Sequence, residues 1–374
     1  MEITELSVAE YLEFVKKTDR LPENELHPVL HGLFGEVGGL MSAAKKMKRE
    51  PDSYTGFDSE VIEEFGDAFW YLCCLSLRIK LDIHSILLDF VRTSAPTHDL
   101  LIGSRSRTNN FVYKTDNETE FDATLIELGQ ITGDFLNAEY IFENPENKII
   151  SFLKSFFATV DTLNVKFSSV INFNVKKVSG RFIRPKNESL PTFDEGFPEF
   201  EQLPYEFEIE FMKRTENHLA LRWNGVFIGD PLTDSSKDKD GYRFHDVFHF
   251  SHAAILHWSP TFRWLIKQKR KSKPEMDHDQ DGGRAIVVEE GLSAWVFNIA
   301  KQDNKYFEGK ESLTFDMLKN VGQFVKGFEV ESCPLILWEE AILKGYEVFR
   351  EIKKNQGGIV IGSRNKRTIT YKKS

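Results

Sequence analysis

The chain has 374 residues, of which 41 % are hydrophobic and 28 % charged, with 32 Phe and a formal net charge of −10. That length accommodates two or three domains with their own cores, and the balance argues against long disorder. The negative charge disfavours non-specific coating of nucleic acid, which depends on Lys and Arg neutralising phosphates.

The three cysteines, Cys73, Cys74 and Cys333, include no CxxC pair for zinc and no disulfide framework. The first ten residues carry acids and no apolar core of a signal peptide. No run approaches the ~18 uninterrupted apolar residues of a membrane span, so the expected compartment is the cytoplasm.

Helical periodicity dominates residues 5–93. Leu33, Val37, Leu40, Ala44 and Met47 recur at steps of four and three, the spacing of a buried helical stripe. A break at Glu50, Pro51 and Asp52 and a loop closed by Gly56 follow, and Asp58 or Ser59 is predicted to cap a second helix. Its apolar face is Val61, Phe65, Ala68, Leu72 and Leu75, and a further helix over 82–92 ends before Pro96. The pattern predicts a bundle of about four helices. Residues 97–120 are polar and read as a connector, after which helical character returns over 121–140 and 147–181. There Glu127, Leu128, Gly129 and Gln130 echo Phe34, Gly35 and Glu36 with their neighbours, which suggests a duplicated unit.

From 185 to 240 Pro and Gly rise, with extended segments over 206–211 and 220–228 and a solvated loop over 234–240. A third helical region runs from 242 to 353, and 357–371 alternates as a hairpin would. The expected organisation is a helical unit at 1–95, a connector at 96–120, a degenerate second helical unit at 121–184, an irregular or extended linker region at 185–240 and a C-terminal helical domain at 241–374. The fold class is mainly α, with a few short strands.

The chemistry concentrates on the first two long helices. Glu36, Gly39, Ala43 and Lys46 share one helical face, and Glu60, Glu64, Asp67 and Tyr71 share another, with Glu63 beside that row. Antiparallel packing of the two would set Glu36 against Glu64 and Asp67. Carboxylates within ~4–6 Å of one another must protonate or hold a cation. Oxygen donors without His or Cys select Mg²⁺, with Mn²⁺ as the alternative, and such an ion clamps phosphates. Gly32, Gly35, Gly38 and Gly39 lie in or beside one helix, each internal one costing about 1 kcal/mol, which points to close approach of a helix or a ligand. Taken singly, each acid reads as an ordinary solvated position.

At these residues the chain resembles the MazG-like branch of the all-α nucleotide pyrophosphohydrolases. That family places two Glu three apart on one helix, then Glu and Asp three apart on a later one. Glu36 matches the first position and Glu64 and Asp67 the last pair, while the second position is Gly39. The resemblance implies cleavage of a nucleoside or deoxynucleoside triphosphate to monophosphate and pyrophosphate. Glu36, Glu64 and Asp67 would ligate the ion, Glu60 or Glu63 would assist, one carboxylate would orient water, and Lys45 or Lys46 would neutralise phosphate. It implies paired helical units and a homo-oligomer, expected as a dimer. Asn174, Lys177 and Arg181 match the end of the family domain and would contact phosphate or base. The alternative is a catalytically weak nucleotide-binding regulatory module that controls a C-terminal effector.

Farther on, His245, His249 and His252 fall on one helical face, and His245, Asp246, His249 and Glu290 form a candidate second site. A buried polar network tying two helices together is the competing reading. The basic run Lys267, Lys269, Arg270, Lys271 and Lys273 reads as solvated, with phosphate contact as the alternative. Residues 220–372 are similar to the C-terminal helical domain fused to MazG domains in bacterial conflict systems. That resemblance implies nucleotide depletion or sensing in antiviral defence.

Overall fold

A computed structural model describes residues 6–94, 121–163, 165–216, 218–234, 239–302 and 305–373. The chain divides into two compact units, Met1–Phe182 and Ile183–Ser374, each with its own hydrophobic core. The connector at 96–120 and part of the loop at 234–240 lie outside the described residues.

Among the described residues the N-terminal unit is built of helices: α1 Val8–Thr18, α2 His27–Arg49, α3 Phe57–Arg78, α4 Ile83–Ser94, α5 Phe121–Phe135, α6 Ala138–Phe142, α7 Pro145–Thr162 and α8 Phe167–Phe182. A capping box of Ser7 and Glu10 starts α1, so two backbone donors at its entrance are satisfied reciprocally. The expected cap of α3 is displaced. Gly56 takes the N-cap position, while Asp58 and Ser59 lie inside the first turn, where a carboxylate favours the helix dipole. The helical stretch expected over 147–181 breaks between α7 and α8.

Helices α2 and α3 run antiparallel, as Lys46 opposite Glu60, Gly39 opposite Glu64 and Gly32 opposite Tyr71 require. Val29, Leu33, Val37 and Leu40 of α2 are buried with Val61, Phe65, Ala68 and Leu72 of α3, whereas Met47 ends the stripe at the surface. Leu125 and Leu128 of α5 and Phe152 and Phe156 of α7 enter the same core. Phe65, Phe69, Phe156, Phe157 and Phe167 pack there mostly edge to face.

The C-terminal unit contains strands β1 Glu206–Lys213, β2 Leu219–Trp223, β3 Val226–Leu232, β4 Gly358–Ser363 and β5 Thr368–Lys372. They form one antiparallel sheet in the order β3-β2-β1-β4-β5. The extended segment over 220–228 is therefore a hairpin, reversed at Asn224 and Gly225, whose positive φ of 50° and 80° suit a tight two-residue turn. The hairpin expected over 357–371 is β4 and β5. Residues 185–240 are not a linker: three of the five strands come from them, and β1 alternates Phe207, Ile209 and Phe211 into the core.

The helices of this unit are α9 Asp246–Ser251, which loosens into a π-helical turn His252–Leu256, then α10 Pro260–Leu265, α11 Pro274–Asp279, α12 Gly283–Lys301, α13 Phe315–Phe324 and α14 Leu335–Asn355. The basic run is tied down rather than solvated throughout. Arg270 is fully buried and donates to Asp281 and Glu329, and Lys269 pairs with Asp277. No described helix is long and apolar enough to cross a membrane.

Candidate functional site

The seam between α2 and α3 brings Glu36, Glu64 and Asp67 to one place. Glu36 and Glu64 interact directly across the seam, where two ionised carboxyls would repel each other. Burial first, then the bond to Glu64 and the charge of Asp67, push Glu36 up to about 9. Burial likewise raises Glu64 and Asp67 above the ordinary carboxylate range, against the opposing pull of Lys177.

Gly39 explains how this pairing fits between two helices. A Cβ at position 39 would lie 2.5 Å from the Glu64 carboxylate, so the glycine leaves the space that Glu64 fills. Gly32 serves the same seam, since its missing side chain admits the Tyr71 ring. Gly35 and Gly38 do not: a Cβ at either would meet open space. Close approach therefore accounts for two of the four glycines.

Around the seam, the chain's own groups hold the carboxylates. The Nζ of Lys177 on α8 lies 2.7 Å from Glu63 Oε1 and also bonds to Asp67. Asn174, wholly buried, donates through Nδ2 to Asp67 Oδ1 at 2.9 Å and accepts from the Tyr11 hydroxyl at 2.8 Å. Gly66 lets α8 approach, because a Cβ there would fall 2.8 Å from that of Asn174. Asn174 thus ties Asp67 to Tyr11, a residue that sequence reasoning missed altogether. Lys46 reaches Glu60 at 2.6 Å, and Tyr54 donates to the other oxygen of Glu60. Lys45 stands apart from these carboxylates, lining a shallow groove with Met41, Lys48 and Asp122. Arg181 lies over the Phe182 ring at 5.4 Å.

The donor set at the seam is all oxygen and exceeds the neighbouring positive charge, which suits a hard divalent ion. Glu36, Glu64 and Asp67 would hold it, with Glu60 or Glu63 adjusting. Among the described residues, however, the groups of three or more donors within 4.8 Å of one another lie in the other unit. There His245, Asp246 and His249 form one group, and His249, His252 and Glu289 form the other. Of the candidate second site, His245, Asp246 and His249 stand together, and Glu290 lies 3.2 Å from His249 and 3.5 Å from His245. Sequence reasoning chose Glu290 and passed over its neighbour Glu289. Both stand in the middle of α12 rather than at its entrance, and Glu289 is wholly buried.

The fold is that of a mainly α protein of two units, with a seam of carboxylates in the first and a cluster of histidines and carboxylates in the second. Residues 188–374 match the family model of the MazG C-terminal domain, and the chain belongs to that family, as a MazG-related protein. The match takes in β1 to β3, as the sheet requires. No curated protein and no solved structure matches the chain.

Proposed function

We propose that the N-terminal unit is a Mg²⁺-dependent nucleoside triphosphate pyrophosphohydrolase, releasing monophosphate and pyrophosphate from an NTP or dNTP. The observation that carries this reading is the buried Glu36–Glu64 pair beside Asp67, with the Glu64 carboxylate seated in the space Gly39 leaves, an acidic cluster whose repulsion a cation would relieve. Membership in a MazG-related family supports it. When bound, Mg²⁺ or Mn²⁺ supplies charge neutralisation and orientation of the phosphates.

The protein's own groups do the rest. Tyr11 and Asn174 fix the rotamer of Asp67, and Lys177 brings a positive charge to the rim where anionic phosphate arrives. In this reading Glu63, which accepts from Lys177, takes a proton from the attacking water. Water forms the new P–O bond at the α phosphorus, the α–β bridging bond breaks, and pyrophosphate leaves with its electron pair. The expected setting is cytoplasmic nucleotide depletion in antiviral defence, by a dimer.

Purified full-length protein incubated with each NTP and dNTP, with and without Mg²⁺ or Mn²⁺, tests this by chromatography. Metal-dependent monophosphate and pyrophosphate support it. Other cleavage products, or none with any nucleotide, overturn it. One observation favours a second reading as a nucleotide-binding regulatory module: Lys177 already pairs with Glu63 and Asp67. That reading predicts a nucleotide-dependent rise in melting temperature without turnover.

A further inference from the structure

The C-terminal unit carries a cluster that the carboxylate seam does not explain. His245 immediately precedes α9, Asp246 opens it, and His249 follows one turn on, all facing Glu289 and Glu290 of α12. The helix continues as the π-helical turn from His252, an irregularity frequent at functional sites.

Hydrogen-bond chemistry assigns the ring nitrogens. His245 Nδ1 lies 2.9 Å from the Tyr242 carbonyl oxygen, which can only accept, so Nδ1 donates there and Nε2 is the nitrogen turned to the carboxylates. That Nε2 is 3.5 Å from Asp246 Oδ1 and 3.5 Å from Glu290 Oε2. The Tyr242 ring stacks on the imidazole at 4.4 Å and holds its plane.

His249 has no solvent exposure, yet neither ring nitrogen has a hydrogen-bond partner in line with it. Its Nδ1 is 3.2 Å from Glu289 Oε1, and its Nε2 is 3.2 Å from Glu290 Oε1 and 4.0 Å from Asp246 Oδ1. Glu289 is itself fixed: Ser259 Oγ and the Thr261 amide donate to one oxygen at 3.0 Å, and His252 Nδ1 meets the other at 3.0 Å. A buried carboxylate behind Nδ1 is the arrangement that fixes the tautomer and turns Nε2 outward as a ligand.

One donor atom each from His245, Asp246 and His249 thus lies within 4.8 Å of the others, Asp246 Oδ1 being 3.5 and 4.0 Å from the two Nε2 atoms, and the two oxygens of Glu290 approach His245 at 3.5 Å and His249 at 3.2 Å. Ligands bonded at ~2.0–2.1 Å to one tetrahedral ion stand about that far apart. We propose that His245, His249, Asp246 and Glu290 form a binding site for a first-row transition-metal dication of the Zn²⁺ class, with Glu289 as the positioning residue behind His249. Two imidazoles among the donors discriminate against Mg²⁺ and Ca²⁺. Glu290 is 37 % exposed, which gives the ion an entry path and leaves a side for water or a substrate oxygen.

The test uses the full chain, stripped with chelator and reloaded with Zn²⁺ or Co²⁺ in excess Mg²⁺, which occupies oxygen-only sites. One equivalent of Zn²⁺ should survive gel filtration, and Co²⁺ should give the visible bands of mixed nitrogen and oxygen ligation. His245→Ala and Glu290→Gln should each weaken binding at least ~10-fold, while Glu64→Gln keeps it. Glu290 lies at the rim, so E290Q decides the matter if the histidine variant fails to fold by circular dichroism. Wild-type protein that retains no Zn²⁺ or Co²⁺, or variants that retain as much as wild type, would overturn the proposal. Because the readout is metal content, failure of nucleotide hydrolysis leaves this result separate.

Discussion

Replacing Glu36 by Gln separates the proton from the metal at the α2–α3 seam. A carboxyl whose folded-state pKa is raised confers stability that is fully present below its unfolded value and is lost as pH rises through the folded value. For Glu36 that window runs from 4.5 to about 9. One differential proton costs about 1.4 kcal/mol per pH unit, so going from about pH 5.5 to about pH 8.5 removes at most ~4 kcal/mol. Solvent reaching this half-buried site and sharing of the proton with Glu64 reduce that to about 2 kcal/mol, or ~4–8 °C for a unit of this size. The Gln amide donates the same hydrogen bond without titrating. The metal-free variant should therefore lose that much less melting temperature than wild type between the two pH values, measured by calorimetry on the full chain. Adding Mg²⁺ should raise the wild-type transition more at high pH, where no proton need be expelled, and should barely move the variant. Parallel pH dependence in the two proteins, or an equal Mg²⁺ effect, would refute a shared proton at the ion's place.

Gly39→Ala should cut metal-dependent turnover at least ~10-fold while leaving melting unchanged or ~1 kcal/mol better, since it displaces the Glu64 carboxylate yet improves helix propensity; a stable variant with full turnover contradicts this. Asn174→Ala strands the Tyr11 hydroxyl and one Asp67 oxygen and should cost ~1–3 kcal/mol in urea denaturation. In the other unit, Arg270→Ala leaves Asp281 and Glu329 without their buried partner and should cost ~3–5 kcal/mol, whereas Lys271→Ala at the exposed part of the same run should cost less than ~0.5 kcal/mol. Burial opposes it, but Arg364 and Arg263 hold Asp194 below its ordinary range. Stability from that group is present above 3.8 and lost as pH falls through the lowered value, so Asp194→Asn should flatten the acid limb of the unit's unfolding curve.

Periodicity revealed most of the helices, because each buries a stripe whose spacing survives in the sequence: Leu33, Val37 and Leu40 are buried as their steps require. The sheet was less legible. Its central pairing joins β1 to β4, about 150 residues later, and no local signal marks such a partner. The segment over 185–240 looked like a linker because its strands are short and divided by turns. At the first site, helical spacing was enough to set Glu36 against Glu64 and Asp67, while the part played by Asn174 and Tyr11 depends on α8 and α1 packing on α3. In the second unit the spacing of the histidines was legible, but Glu289 and Glu290 differ only in which face of α12 they occupy, and that is set by packing.

Gly39 shows most plainly why a sequence departure needs its surroundings before it is interpreted. Compared with a pattern of four acids, it counts as a missing ligand, and Gly39→Glu would seem the natural repair. The structure gives that position a different physics. The volume a side chain would fill is occupied by the carboxylate of Glu64, within 2.7 Å of the would-be Cβ through both oxygens. A glutamate introduced there must first expel Glu64 from its hydrogen bond with Glu36, so it trades one acid for another. Gly39→Glu therefore does not separate an active seam from an inert one. Glu64→Gln does: it keeps the shape and the bond to Glu36 and removes only the charge. If turnover persists in that variant, the seam is not where phosphate chemistry occurs; if it vanishes while melting is unchanged or improved, the loss is one of charge and not of fold.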